Sequence, residues 1–230
     1  MSNLVVDVII PAFNEEQSIG LVLKDLPKDR LRHIVVCNNG STDNTATAAA
    51  QAGAIVVHQP KPGYGNACLA GISYLQQLPT PPDILVFLDG DYSDHPEELP
   101  LLLQPILEED VDMVIGSRAL GDKETGAMQP QQIFGNWLAT HLIRLLYNYH
   151  FTDLGPFRAI RWSKLLELDM KDTNYGWTVE MQVKAAQHKL RCKEVPVTYR
   201  RRVGVSKVSG TLKGSILAGY KILWTIFKLL

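Results

Sequence analysis

The sequence contains few cysteines, no export signal and no long uncharged apolar run. Its 230 residues include three cysteines, Cys37, Cys68 and Cys192, of which no two form a CxxC pair. This odd, scattered set argues against a disulfide framework and predicts a reducing compartment. The opening residues, MSNLVVDVII, lack a basic region followed by an apolar signal stretch, and no run of about 20 apolar residues occurs. We therefore expect a cytoplasmic protein without a transmembrane helix.

Net charge is also small, but it is unevenly distributed. The whole chain carries −1, which by itself indicates neither nucleic acid nor membrane, and no nucleic-acid partner is expected. Lys189–Leu230 contains 10 basic residues and one acid, Glu194, a balance of 10 − 1 = +9, whereas the preceding residues carry 13 − 23 = −10. The same segment is rich in Leu, Ile, Trp and Phe. We expect it to meet an anionic partner.

Short apolar runs alternate with helix-like segments through the first half of the chain. The predicted strands are Val5–Pro11, Leu31–Cys37, Ala54–His58, Ile84–Leu88 and Asp112–Gly116. The predicted helices are Glu15–Leu26, Asp43–Ala52, Gly65–Gln77 and Glu97–Leu107. Apolar strands that alternate with helices predict an α/β fold, with a mainly parallel sheet covered on both faces.

The second half of the chain is less regular. Gly116–Pro130 lacks hydrophobic periodicity, which predicts a mobile loop. Gln131–Tyr149 has the pattern of a long amphipathic helix, residues 191–199 that of a strand, and Leu212–Leu230 that of a terminal helix.

Two aspartates directly follow the predicted strand Ile84–Leu88. Asp89 and Asp91 are separated by Gly90, so on an extended chain their side chains point to the same side. Open α/β sheets bind ligands at the carboxyl ends of their strands. Two carboxylates this close need a cation, and Mg²⁺ or Mn²⁺ shared with substrate phosphates fits hard oxygen ligands. The pair predicts a metal–diphosphate site, although a solvated acidic turn would show the same Asp-x-Asp pattern.

Three other loops would lie at the same edge of the sheet. In Val8–Glu16, Pro11 ends a strand and Asn14 would cap a helix with an acidic first turn, and capping alone explains much of the pattern. Asn38–Thr45 offers a tight turn whose polar groups could read a base and a ribose. Gly63–Ala67 places two glycines before a helix, which lets a phosphate approach backbone N–H groups.

Together, in this order and spacing, these four motifs resemble the family 2 glycosyltransferases, in particular the branch of dolichyl- and polyprenyl-phosphate sugar synthases. The resemblance runs from about Val6 to about Gly219. It implies a GT-A fold, which is a Rossmann-like α/β domain, over residues 1–210 and a membrane- or partner-associating amphipathic helix over 211–230. Residues 1–116 would bind the nucleotide sugar, and residues 117–210 the acceptor.

The resemblance also implies which residues bind the donor. Asp89 and Asp91 would hold Mg²⁺ or Mn²⁺ with the diphosphate. The nucleotide-sugar contacts would come from Pro11, Asn14, Glu15, Asn38, Asp43, Gly63, Gly65, Asp89 and Gly90.

On the acceptor side, three further elements match the family. Gly116–Arg118 matches a strand end that leads into a mobile loop, Gly155–Arg158 a Gly-Phe-Arg element, and Tyr175–Trp177 a helix start bordering the sugar. The stretch RVGVSKVSG matches a basic loop that closes over phosphate, so Ser117–Pro130 and Val203–Gly210 are predicted to be lids. Catalytic roles would fall to Asp91, Glu180 and Arg118, and acceptor or phosphate binding to Arg118, Arg158, Arg202, Ser206 and Lys207.

The chain departs from the family pattern at two places. The family usually has two aspartates where this chain has Asn38 and Asn39, so the nucleobase of the donor stays unassigned. Dolichyl-phosphate mannosyltransferases tend to have a glutamine where this chain has Ser93. Ser93, Asp94, His95 or a water could complete the metal shell.

The expected reaction is inverting transfer of a sugar from a UDP- or GDP-linked donor to a polyprenyl or dolichyl phosphate. Such an acceptor is already anionic, so basic side chains would position it and no general base is needed. The alternative is transfer to a hydroxyl of a glycolipid or polysaccharide, with Glu180 as the base. A sugar nucleotidyltransferase would have a glycine-rich basic loop where this chain has PAFNEE, and a non-catalytic sugar-binding module would leave the carboxylate pair unused.

The terminal helix carries a predicted stripe of three lysines. Lys221 and Lys228 lie within roughly 80° of Lys213 around the helix at about 100° per residue. With an apolar remainder, this stripe favours peripheral docking on the anionic cytosolic face of a membrane. The apolar surface would equally suit packing on the catalytic domain, on a second subunit in a homo-oligomer, or on a membrane-spanning partner.

Overall fold

The computed structural model describes residues 4–204 and 212–230. Ser206 and Lys207, predicted to bind acceptor phosphate, lie outside the described residues, as does most of the predicted lid Val203–Gly210. No helix in the described ranges is both long enough and apolar enough to cross a bilayer.

The described strands form one mixed sheet. They are β1 (Val6–Ala12), β2 (His33–Asn38), β3 (Ile55–His58), β4 (Ile84–Phe87), β5 (Met113–Ser117), β6 (Arg158–Arg161) and β7 (Cys192–Pro196). Their spatial order is β3-β2-β1-β4-β6-β5-β7, and the pairs are parallel except those that β6 makes with β4 and β5. The predicted mainly parallel sheet is confirmed.

Helices cover both faces of this sheet. They are α1 (Ile19–Asp25), α2 (Thr45–Gln51), α3 (Tyr64–Gln76), α4 (Leu99–Glu108), α5 (Pro130–Tyr147), α6 (Trp162–Glu167), α7 (Trp177–Gln187) and α8 (Leu212–Lys228). Because successive strand residues point to opposite faces, Ile9 of β1 packs in one core cluster while Val8 and Ile10 pack in the other. Residues of α3, α5, α7 and α8 contribute to the first cluster, and residues of α1 and α4 to the second.

The antiparallel strand β6 is absent from the sequence-based prediction. Its residues, RAIR, are four in number and half of them are arginines, so neither an apolar run nor a regular alternation marks it. It forms because β4 and β5 flank it and pair with it on both sides. Arg158, its first residue, is thereby placed between the carboxyl ends of β4 and β5.

The predicted loop Gly116–Pro130 follows β5 and is tied to the end of the sheet. The backbone N–H of Glu124 donates to the carbonyl of Tyr199 at 2.9 Å, and the Arg201 side chain donates through Nε to the Thr125 carbonyl at 2.7 Å. Mobility of this loop stays a prediction.

Helix α8 packs on the catalytic domain with one face. It contacts α5 and α7, its residues Thr225 and Ile226 are buried, and the Tyr147 hydroxyl donates to the Ile226 carbonyl. Lys221 also faces inward, with Nζ at 2.8 Å from Oδ2 of Asp172. The prediction that Lys221 points outward with Lys213 and Lys228 is therefore wrong, because this buried carboxylate draws Lys221 toward the domain. The side chain of Lys213 lies outside what the structure describes.

Candidate active site

A cleft of about 630 Å³ opens at the carboxyl ends of β1 and β4. It is bordered by the start of α3 on one side and by α5, α7 and α8 on the other. The predicted site residues that line it are Pro11, Glu15, Gly63, Asp89, Gly90, Asp91, Arg118 and Arg202. Asn14, Asn38, Asp43, Gly65, Arg158 and Glu180 are not among its lining residues.

Asp89 and Asp91 stand together in this cleft with different partners. Oδ1 of Asp89 accepts a hydrogen bond from the Tyr64 hydroxyl at 2.9 Å. Oδ1 of Asp91 accepts the backbone N–H and the hydroxyl of Ser93 at 2.9 and 2.5 Å, and its Oδ2 contacts Arg202. Asp91 is 5% exposed. Ser93 and Arg202 cover it.

The carboxylate pair lies in a place where negative charge is costly. Burial, and then the charge of Asp91, raise the pKa of Asp89 to about 7, although Tyr64 and Arg202 act in the opposite direction. A group of three or more His, Cys, Asp or Glu side chains able to hold a metal does not occur in the described ranges. Two carboxylates beside open cleft volume nevertheless fit a divalent ion that takes its other ligands from phosphate oxygens and water.

The start of α3 is held tightly against the segment before α7. A Cβ on Gly63, whose φ is +135°, would lie 2.2 Å from the Thr173 carbonyl oxygen, and a Cβ on Gly65 would lie 2.0 Å from that of Asp172. The Asn66 backbone N–H donates to the Thr173 carbonyl at 2.9 Å. The two glycines thus permit a close backbone approach, and only Gly63 of the two borders the cleft.

Asn14 and Asp43 join two loops behind the cleft. Asn14 adopts a left-handed conformation at φ 54°, and its Oδ1 accepts the Thr42 N–H at 2.8 Å. Asp43 accepts the N–H groups of Glu16 and Thr45. The expected helix cap at Asn14 is wrong, because α1 begins only at Ile19 and the asparagine side chain bonds to the neighbouring loop instead.

Asn39, one of the departures from the family pattern, has a clear structural use for its amide. Its Nδ2 donates to the carbonyls of Gln59 and Lys61 at 3.0 and 2.7 Å, while its Oδ1 accepts the Gly63 N–H at 2.7 Å. An aspartate could not donate to these two carbonyls. Asn38 lies beside it, with Nδ2 at 3.4 Å from Nδ1 of His58.

Of the predicted arginines, Arg118 and Arg202 border the cleft and Arg158 lies in the core. Arg118 lines the cleft and donates through Nε and Nη2 to the two oxygens of Asp153 at 2.8 and 2.7 Å. Arg158 is fully buried and donates to the carbonyls of Leu154, Gly155 and Thr178. Burial lowers the pKa of Arg158 to about 10. Its position suits support of the sheet end rather than contact with an acceptor.

Glu180, the predicted alternative base, is turned away from the cleft. It is 3% exposed, and its oxygens accept the backbone N–H groups of Lys171 and Asp172 at distances between 2.7 and 3.1 Å. Nζ of Lys184 lies 2.8 Å from its Oε1. These contacts anchor the segment before α7.

Three residues that border or support the cleft are not predicted individually from the sequence. Tyr64 lies inside the Gly63–Ala67 motif, which was interpreted through its glycines, and its position beside a predicted phosphate-binding loop is the one local signal for it. Asn39 departs from the family pattern, but no local signal shows which carbonyls its amide contacts. Asp153 carries no sequence signal, because its partner Arg118 is 35 residues away.

The fold and the cleft define a GT-A glycosyltransferase: a mainly parallel sheet with two aspartates after a central strand and a glycine-flanked helix start beside them. The family model for glycosyl transferase family 2 matches residues 7–168, and the chain belongs to that family.

Relatives agree with this assignment. An uncharacterised glycosyltransferase of Mycobacterium tuberculosis is 37% identical over 220 residues, covering 95% of this chain and 96% of that protein. An undecaprenyl-phosphate mannosyltransferase of Micrococcus luteus is 32% identical over 219 residues, covering 90% and 88%. Glucosyl-3-phosphoglycerate synthase of Mycobacterium tuberculosis, crystallised with Mn²⁺, UDP and glucosyl-3-phosphoglycerate, superimposes with a TM-score of 0.77 at 21% identity, covering 98% of this chain and 80% of that one.

Proposed function

We propose that this glycosyltransferase moves a sugar from a UDP- or GDP-linked donor to a polyprenyl phosphate, with inversion at the anomeric carbon. In this reaction a phosphate oxygen of the lipid attacks the anomeric carbon. The bond from that carbon to the donor's diphosphate breaks, and the nucleoside diphosphate leaves with the electron pair. The chain would meet its acceptor at the cytosolic face of a membrane.

The donor half of the cleft suits a diphosphate and a divalent ion. Asp89 and Asp91 would hold Mg²⁺ or Mn²⁺, which supplies positive charge to offset the charge developing on the leaving diphosphate. Arg202 contacts Asp91 at the edge of this half, where its guanidinium would meet the acceptor phosphate. The structural neighbour crystallised with Mn²⁺ and UDP supports this cofactor.

The observation that carries the acceptor proposal is the composition of the other half of the cleft. Among the described residues, the carboxylates that line the cleft are Glu15, Asp89 and Asp91, all on the donor side. The lining residues from α5, α7, α8 and the segments beside them include neither a carboxylate nor a histidine within the described ranges. A hydroxyl acceptor needs a base there, whereas an ionised phosphate does not.

The alternative, transfer to a carbohydrate hydroxyl with Glu180 as the base, has less support. Both oxygens of Glu180 accept hydrogen bonds from backbone N–H groups, and Lys184 pairs with one of them. Using this residue as a base would require the segment before α7 to open. The undecaprenyl-phosphate mannosyltransferase of Micrococcus luteus further favours a lipid phosphate for this chain.

Peripheral membrane contact is supported by exposed apolar side chains on two neighbouring helices. Together α5 and α8 form what we call the apolar face, and its members are Ile133, Phe134, Trp137, Ile216, Leu217, Tyr220, Trp224 and Phe227. The face adjoins the acceptor half of the cleft, because α5 and α8 also line that half. Because Lys189–Leu230 has a net charge of +9, we propose that the apolar face docks on an anionic membrane surface.

The test compares two acceptors that differ only in the phosphate. The full chain is incubated with radiolabelled UDP- or GDP-sugars and Mn²⁺, with either a polyprenyl phosphate or the matching free polyprenol. We expect labelled lipid with the phosphate alone, and opposite anomeric configurations in donor and product by NMR. Labelling of the free polyprenol, or of a soluble glycan in preference to the lipid phosphate, would refute the proposal.

A further inference from the structure

We propose that Tyr64 is a positioning residue for the metal–diphosphate site, whose hydroxyl fixes the rotation of the Asp89 carboxylate. This inference rests on the proposed function only in taking a divalent ion with a nucleotide as the occupant of the Asp89–Asp91 pair. It does not depend on the identity of the acceptor.

The contact itself joins the two sides of the donor half. Tyr64 is the first residue of α3, and its hydroxyl donates to Oδ1 of Asp89 at 2.9 Å. Both residues line the cleft. A carboxylate can turn about its Cβ–Cγ bond with little cost, so a hydrogen bond to one oxygen decides where the other one points. Asp91 is restrained in the same manner by Ser93.

The backbone that carries Tyr64 is clamped from two directions. On one side the Gly63 N–H donates to Oδ1 of Asn39 at 2.7 Å. On the other side the Asn66 N–H donates to the Thr173 carbonyl at 2.9 Å, and Gly65 lies so close to this segment that a Cβ would not fit. The hydroxyl is therefore held in place by tertiary packing.

The segment opposite α3 is restrained in turn. Asp172 accepts the N–H groups of Asn174 and Gly176 on Oδ1, at 2.8 and 3.1 Å, and Lys221 of α8 pairs with its Oδ2 at 2.8 Å. Glu180 holds the same segment through the Asp172 N–H at 2.7 Å. The restraint on Asp89 is thus built from elements that are distant in the sequence.

The experiment removes one oxygen atom and keeps the ring. In Tyr64→Phe the packing of α3 is retained, whereas the bond to Asp89 is lost. The control is Tyr74→Phe on the same helix, since the Tyr74 hydroxyl makes no hydrogen bond within the described part of the chain. Free Mn²⁺ is followed by electron paramagnetic resonance during titration of each protein in the presence of UDP or GDP, and Tm is measured alongside.

We expect the apparent Kd for Mn²⁺ to rise about tenfold in Tyr64→Phe, as for loss of other groups that orient a metal ligand. Tyr74→Phe should bind Mn²⁺ like the wild type, and Tm of Tyr64→Phe should stay within a few degrees of it. In turnover, the KM for the donor at limiting Mn²⁺ should rise more than kcat falls.

An unchanged Kd in Tyr64→Phe overturns the inference, and a lower Tm with unchanged Kd would assign Tyr64 to packing alone. Because the titration contains no acceptor, its outcome is separate from that of the lipid-phosphate proposal. If Tyr64→Phe weakens Mn²⁺ binding while the wild type ignores polyprenyl phosphate, the positioning role stands and the acceptor proposal fails. A wild-type protein that binds no Mn²⁺ with either nucleotide would overturn the positioning role and leave the acceptor proposal to its own test.

Discussion

The guanidinium of Arg202 contacts the carboxylate of Asp91, although the two residues are 111 positions apart. The same guanidinium lies 3.8 Å from Oε1 of Glu15. The backbone supports this contact, since the Val203 N–H donates to the Asp91 carbonyl at 3.0 Å. The positively charged side chain of Arg202, from the last third of the chain, therefore lies against the carboxylates of the donor half, at the boundary between the two halves of the cleft.

Replacing Asp91 should abolish metal-dependent transfer without unfolding the protein. Asp91→Asn keeps the side-chain volume but removes the charge that would hold the cation, so we expect kcat/KM to fall by about 100-fold or more. Asp29→Asn, an exposed carboxylate away from the cleft, is the control. Activity is measured with Mn²⁺ and in excess chelator, and Tm reports folding. Full activity of the variant, or of the wild type in chelator, would contradict the metal site.

Replacing Arg202 should affect the acceptor more than the donor. Arg202→Ala removes the cation at the boundary of the cleft, and we expect KM for polyprenyl phosphate to rise about tenfold, in line with loss of a charge-assisted contact. Arg201→Ala is the control, because Arg201 bonds to the Thr125 carbonyl instead. Separate titrations of donor and acceptor give the KM for each substrate. A larger loss in donor affinity would assign Arg202 to the donor diphosphate instead of the acceptor.

Asp94 should make folding less favourable as pH rises. It is 2% exposed, and both carboxyl oxygens lack a hydrogen-bond partner among the described residues. Burial, followed by the charges of Asp89 and Asp91, raises the pKa of Asp94 well above its usual range. A carboxyl whose pKa is higher in the folded state than in the unfolded state costs stability above the unfolded value of about 3.9.

Asp94→Asn should therefore raise the free energy of unfolding at pH 8 by about 1–3 kcal/mol, and by much less at pH 5. Urea unfolding at the two pH values measures this difference. Asp122→Asn changes an exposed carboxylate and serves as the control. A variant that is less stable than the wild type at pH 8 would show that the charged form is stabilised in the fold.

Two glycine substitutions should have opposite consequences. In Gly65→Ala the new Cβ would lie 2.0 Å from the Asp172 carbonyl oxygen, so α3 must move and we expect a loss of about 1–3 kcal/mol. In Gly20→Ala, within α1, the Cβ meets no atom within 4 Å, and stability should hold or rise by about 1 kcal/mol. Thermal unfolding compares them. Equal Tm values would show that the approach of α3 to Asp172 is loose.

The apolar face should mediate vesicle binding. Trp224 and Phe227 are 52% and 53% exposed, so their replacement by serine removes apolar surface without opening the core. We expect the double variant Trp224→Ser with Phe227→Ser to lose most co-sedimentation with anionic liposomes at low salt. Leu107→Ser, on α4, removes a 49% exposed side chain from elsewhere and should bind normally. Equal binding of all three proteins would contradict a role for this face.

Much of the donor half could be predicted from the sequence because its signals are local. The five predicted strands each have their own apolar run, and Asp89 and Asp91 directly follow the run that forms β4. The carboxyl ends of parallel strands meet at one edge of the sheet, so the sequence alone predicts that the loops after these strands lie close together. Local capping was less predictable, since Asn14 had a neighbouring loop as a competing partner.

The acceptor half depends on contacts that no local pattern encodes. The short strand β6 forms because it pairs with the strands on either side. The positions of the Arg158 and Glu180 side chains depend on the carbonyls and N–H groups that surround them. The spacing of charged residues in the sequence does not show whether a side chain borders the cleft or is buried with its hydrogen bonds already made. Only its burial and its partners in the folded chain show this.

Residues adjacent along the chain are enough to predict the class of fold, the edge of the sheet that bears the site and the carboxylate pair, because each of these follows from a local pattern. Packing of the whole chain is needed to show that Tyr64 and Arg202 reach those carboxylates, that Glu180 and Arg158 support the framework, and that α8 turns Lys221 inward. These outcomes require side chains from distant segments to compete for the same partners, and that competition is resolved only when the chain is packed.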